Sequence, residues 1–136
     1  MNLFIDSDIL LDALLIRQPH DTFAMEILSL ADSEDFTLFS SAHSLLNVYY
    51  FTSKIAGKDA ARKSVSLLEQ NINIAATTKT AIRSGLVSDF TDTEDAVQYA
   101  IALENNCTVI ITRNIKDYMK SSIPVMTAEQ YLKSLI

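Results

Sequence analysis

FIDSDILLDALL, residues 4–15, carries an apolar run straight into three carboxylates. Leu3, Phe4 and Ile5 read as a short buried strand. Asp6 ends it. Asp8 and Asp12 follow inside a stretch otherwise built of Ile, Leu and Ala, which reads as a helix. A charge buried without a partner is strongly unfavourable. Asp6 therefore needs a helix N-terminus, a cation or water at the end of that strand. Asp12 reads as a surface residue.

The same strand-then-helix alternation continues along the chain. Further β-like runs are Thr37–Ser40, Ile72–Ala75, Val109–Thr112 and Val125–Met126. Helical patterns fill residues 7–16, 21–32, 43–55, 59–70, 79–87, 93–105 and 128–135. Parallel crossovers need a helix, so the expected architecture is a single α/β/α domain over residues 1–136. Its centre is a parallel sheet of about four or five strands, Rossmann-like in layout. Thr91-Asp92-Thr93-Glu94 and Thr127-Ala128-Glu129-Gln130 both fit a capping box. Ala96, Tyr99, Ala100 and Leu103 mark an expected buried stripe, and Val65, Leu67 and Leu68 the inward face of the helix at 59–70.

Composition narrows the class. The chain has 136 residues, 49% apolar and 21% charged, which suits one globular core. Its apolar runs are too short to span a bilayer, and MNLFID has neither a basic region nor a cleavage site. The lone Cys107 can form no internal disulfide and reads as a small core residue, which fits a reduced, cytoplasmic setting. Residues 1–53 hold eight acids and one base, so −7, whereas residues 54–136 hold nine acids and ten bases, so +1. A whole-chain basic footprint for nucleic acid is absent. An enzyme whose acids hold metal ions is not excluded, because the ions invert the local charge.

In doubly wound sheets, ligands bind at the carboxyl ends of the strands. Asp6 lies at one such end. The stretch ITRNIKDY sets Arg113, Asn114 and Asp117 just past another, and Asp92, Glu94 and Asp95 open the helix before it. If the segment 85–92 folds over the rim, Asp6, Asp95 and Asn114 or Asp117 converge. Hard oxygen ligands without histidine or cysteine suit Mg²⁺ or Mn²⁺ rather than zinc. His20 and His43 have no partner at ligand spacing and read as surface or capping residues.

Two segments now carry a resemblance. FIDSDILLDALL resembles the opening of PIN domains, the nuclease fold of VapC-type toxins. TEDAVQYAIALENNCTVIITRNIKDY resembles their second half, and IPVMTAEQYL their closing strand and helix. The resemblance implies a Mg²⁺- or Mn²⁺-dependent endoribonuclease with an RNA substrate, a possible protein antitoxin and a homodimer. The cluster Tyr49-Tyr50-Phe51 reads as core or a dimer surface, or as rings on which bases stack, and is a second pointer to a dimer. Carried over residue by residue, the first acid falls on Asp6 and the helix-opening acid on Asp95, with Asp92 nearby. The last acidic position falls on Asn114, with Asp117 three residues on.

This chain departs from that pattern at two ligand positions. Asn47, in SSAHSLLNVYYF, stands where the family usually has a glutamate, and Asn114 replaces an acid. Asp8, in turn, stands where the family usually has Asn. Fewer ligand charges imply weaker metal affinity. The expected catalytic and metal set is therefore Asp6, Asp95, Asp117 and Asn114. Asp8, Asn47, Asp92 and Arg113 are expected to support it. The alternative is a degenerate PIN fold that binds RNA or a protein without cleaving. A phospho-acceptor signalling domain is disfavoured, because TLFSS and NINIAA offer no acceptor Asp at a middle strand.

Overall fold

Leu3, Phe4 and Ile5 are wholly buried, and so are Ile110 and Ile111. Such runs, apolar on both faces, belong at the centre of a parallel sheet. The computed structural model describes residues 1–136 and places them there. β1 (Asn2–Ile5) and β4 (Val109–Ile111) are neighbours in a five-stranded sheet that also contains β2 (Thr37–Ser41), β3 (Asn73–Ala75) and β5 (Val125–Met126). The order is β3-β2-β1-β4-β5, and every pairing is parallel.

Side chains alternate across β1, so each face of the sheet meets a different core. Leu3 and Ile5 join the cluster formed with α1 (Ser7–Leu14), α2 (Asp21–Ser29), α3 (Ala42–Ala56), α4 (Lys58–Asn71) and α7 (Ala128–Ser134). Phe4 and Ile110 join the other, with residues of α5 (Lys79–Val87) and α6 (Thr93–Glu104). Cys107 lies in that second core, where burial pushes its thiol up to about 12 and leaves it an inert packing group. No helix is long and apolar enough to cross a membrane.

The helix starts follow their local chemistry. Asp6, Ser41, Thr78, Asp92 and Thr127 each accept a backbone N–H of the helix that follows. The box at Thr127–Gln130 is fully formed. The one expected at Thr91 shifts by a residue: Asp92 is the cap, and its carboxylate accepts the N–H of Asp95.

Three expectations about facing are overturned. Leu67 and Leu103 are exposed, and the buried positions of α4 are Ala61 and Leu68. In α6 the buried residues are Asp95, Ala96, Gln98, Ile101 and Ala102. That face carries an acid and an amide because it borders both the core and the site. Asp12 is not a surface residue at all: it is 0% exposed. Its carboxylate accepts from Arg17 Nε at 2.9 Å, and from Arg113 Nε at 2.7 Å and Arg113 Nη2 at 3.0 Å. Two guanidiniums supply the partners that a buried charge requires.

Candidate metal centre

The chain runs from β1 through β2 to β3 in one direction, then crosses to β4 and β5 on the other side of β1. The crevice between β1 and β4 is where such a sheet presents a site. Asp6 follows β1 and Thr112 follows β4. The backbone N–H of Asp6 donates to Ile111 O at 3.0 Å, which fixes the two strand ends together.

Asp6 is 4% exposed. One carboxylate oxygen accepts the Ser7 N–H at 2.8 Å. The other accepts the Thr112 hydroxyl at 2.9 Å and the Tyr118 hydroxyl at 3.1 Å. Tyr118 also reaches Asp95 Oδ1 at 3.3 Å, so one phenol links the acid after β1 to the acid opening α6. The turn before α6 covers this pair: the Phe90 ring packs on Tyr99 and, edge-on, on Tyr118.

Six carboxylates and no basic residue line the resulting cleft of about 260 Å³: Asp6, Asp8, Asp92, Glu94, Asp95 and Asp117. Asn47, Gln98 and Asn114 contribute amides to its walls. Carboxylate oxygens of Asp92, Asp95 and Asp117 lie within 4.8 Å of one another. Asp8 Oδ2 accepts the Arg113 N–H at 2.9 Å, while its Oδ1 is buried without a partner. An all-oxygen donor set with an unpartnered buried oxygen fits a hard divalent cation.

The residues expected in a site therefore fall into two groups. Asp6, Asp8, Asn47, Asp92, Asp95, Asn114 and Asp117 all border the cleft. Arg113 does not; its side chain turns back to Asp12, and only its backbone N–H reaches the acids, at Asp8. The Asn47 amide lies 3.3 Å from His43 Nε2, and that ring nitrogen lies 3.3 Å from Glu94, so His43 borders the acids rather than standing apart. Thr112, Tyr118 and Gln98 went unread in the sequence. Thr112 and Tyr118 lie within ITRNIKDY, but a hydroxyl in such a run gives no sign of the carboxylate it will meet.

Like charges at close quarters leave a mark on protonation. Burial raises the Asp6 carboxyl above its ordinary value, and the Asp92 charge adds to this. Burial and then the Asp6 charge push Asp8 to about 7. The same two causes, with Asp92 and Asp117 behind them, push Asp95 to about 7. Burial also lifts the Tyr118 phenol well above its usual range, so it stays a donor. A raised carboxyl holds more protons in the native than in the unfolded chain between 3.8 and about 7. Stability without metal is therefore expected to fall as pH rises through that window. A saturating divalent cation should flatten the slope. Melting temperatures at pH 5, 6 and 7, with EDTA and with Mn²⁺, measure both limbs; equal slopes in the two series would count against a cation among these acids.

With the fold and the cleft in place, relatives become informative. A family model described as PIN domain matches residues 2–116, and the chain belongs to the PIN domain family. It is similar to Ribonuclease VapC1 of Aquifex aeolicus (strain VF5), 25% identical over an alignment of 136 positions that covers 94% of this chain and 91% of that protein. In fold it is similar to the DNA-bound VapBC of Salmonella typhimurium, with a TM-score of 0.70 and 14% identity, covering 94% of this chain and 98% of that one. It is also similar to a toxin–antitoxin complex from Klebsiella pneumoniae, with a TM-score of 0.67 and 23% identity, covering 93% and 97%.

Proposed function

We propose that this protein is a metal-dependent endoribonuclease, the toxin of a toxin–antitoxin pair. The observation that carries the reading is the cleft of six carboxylates, without a base, at the crossover of a PIN-family sheet. Asp6, Asp95 and Asp117 would hold one or more Mg²⁺ or Mn²⁺ ions, with Asn114 contributing an amide oxygen. A bound ion of this kind lowers the pKa of its water and offsets the charge that builds on a phosphoryl group. Thr112 and Tyr118 fix the rotamer of Asp6 by donating to one of its oxygens. Asp92 caps α6 and thereby sets the direction of Asp95. Asp8 accepts from the N–H of Arg113 and stiffens the turn after β4.

The relatives named above support RNA as substrate and a VapB-like partner. Exposed Leu46, Tyr50, Phe51 and Ile55 on α3 give such a partner, or a second copy in a homodimer, an apolar surface to cover. The direct test is incubation of total RNA with the protein in Mn²⁺ or EDTA. Fragments appearing only with Mn²⁺, and not with Asp95→Asn, are expected. RNA left intact by well-folded wild type across a series of divalent metals would leave the degenerate-fold reading in its place.

Asn47 lines the cleft where a glutamate would bring a further charge. Asn47→Glu is expected to tighten Mn²⁺ binding several-fold and raise cleavage at limiting metal, since ligand charge is a main lever on affinity. Asn47→Ala should lower both. Calorimetric Mn²⁺ titration checks this. A Glu variant that is less stable and indifferent to metal would remove Asn47 from the site.

A further inference from the structure

The acidic cleft poses a difficulty for any nucleic-acid substrate: six carboxylates repel the phosphates flanking the one to be cut. A second groove, of about 300 Å³, opens beside it and shares Ser7, Asp8, Phe51 and Asn114 with its wall. This neighbour is lined by Arg17 and Arg113. We propose that Arg17 and Arg113 form a phosphate-binding subsite that seats the backbone of a single-stranded RNA next to the metal cleft. The inference rests on the ribonuclease reading above and adds to it the route that the strand takes.

The two guanidiniums are prepared for this role. Both are anchored on the fully buried Asp12, through Nε and Nη2 of Arg113 and through Nε of Arg17, while Nη2 of Arg17 donates to Asp8 O. Nη1 of each remains unbonded. Their side chains keep 39% and 35% of their surface exposed. The two cations face Asp12 and Asp8, so what the groove offers a phosphate is fixed guanidinium donors rather than an excess of charge, and a fixed guanidinium loses less entropy on meeting a phosphate than a free one. The backbone itself is bent to place Arg17. Ile16 holds φ at +51°, a conformation that a β-branched residue rarely adopts, and the Arg17 N–H closes onto Asp12 O at 3.0 Å. Phe51, about half exposed at the shared wall, offers a ring on which a base can stack.

The test is binding of a fluorescent single-stranded RNA oligonucleotide, followed by anisotropy in Ca²⁺ over a range of salt. Each phosphate contact contributes about −0.7 to the slope of log K against log salt for a single strand. Arg17→Gln is expected to weaken binding several-fold at low salt and to make the slope shallower by about 0.7. Arg17→Lys should keep most of the slope but lose part of the affinity, and the Mn²⁺-induced thermal shift should match wild type in both. Arg62→Gln, on the exposed basic face of α4, should bind as wild type. If Arg17→Gln binds RNA with wild-type affinity and slope, the groove belongs to a protein partner and the proposal is overturned. Loss of the slope in Arg62→Gln instead would overturn it by moving the strand to α4. Wild type that neither binds nor cleaves RNA removes the ribonuclease reading and this subsite together, whereas an effect confined to the variants bears on the subsite alone.

Discussion

Asp12→Ala should destabilise the protein by about 2–3 kcal/mol, because it removes charge-assisted hydrogen bonds from a buried carboxylate while the arginines it frees are partly exposed and rehydrate. The carboxylate is 0% exposed and carries three charge-assisted hydrogen bonds from two arginines. Its loss frees both guanidiniums. It also loosens the turn after β4, because Arg113 is held there by side chain and backbone at once. Arg17→Gln, which leaves Asp12 paired to Arg113, should lose about 1 kcal/mol or less, as for a pair with one exposed member. Urea titration of the two variants separates them. A loss below about 1 kcal/mol for Asp12→Ala would mean that the arginines relax to new partners at little expense.

Asp6→Asn is expected to move stability and activity in opposite directions. Without metal at pH 7, the variant replaces a buried carboxyl in a cluster of acids that burial first, and one another's charges second, hold above their ordinary values. The metal-free protein should therefore melt higher than wild type. With Mn²⁺ the wild type should gain and the variant should not, since stabilisation by a ligand follows its affinity for the native state. Cleavage should fall on the order of 10²-fold or more, because even groups that only orient metal ligands are worth 10–100-fold. Thermal melts with and without Mn²⁺, beside an RNA cleavage assay, supply the three readouts. Equal Mn²⁺ shifts in the two proteins would place the ion away from Asp6.

The strands and helices were legible because their signals are local. Leu3–Ile5 and Val109–Ile111 are apolar without interruption, and Thr127 announces a helix in the next few residues. The cleft's carboxylates were legible because the topology of a doubly wound sheet brings the ends of β1 and β4 together. What escaped was set by partners far along the chain. Asp12 looks solvated until Arg113, 101 residues away, is brought onto it. Gln98 carried no signal in the sequence, yet its amide donates to the buried Ser44 hydroxyl across 54 residues. Leu103 fits the apolar stripe of α6 by period, but that stripe turns toward the site at its first turn and away from the core at its last.

Tyr118 gives the order of synthesis a meaning. Its hydroxyl, 112 residues from Asp6, holds that acid together with Asp95, and Thr112 holds it from 106 residues away. Translation proceeds at roughly 5–20 residues per second. For most of that time a growing chain possesses Asp6 and the Ser7 N–H but neither of the hydroxyls that hold the carboxylate's other oxygen. A nascent or prematurely released fragment ending before β4 has three of the five strands and lacks one wall of the crevice. The oriented acid is thus among the last features that the ribosome completes, and shortened products of the same message lack it.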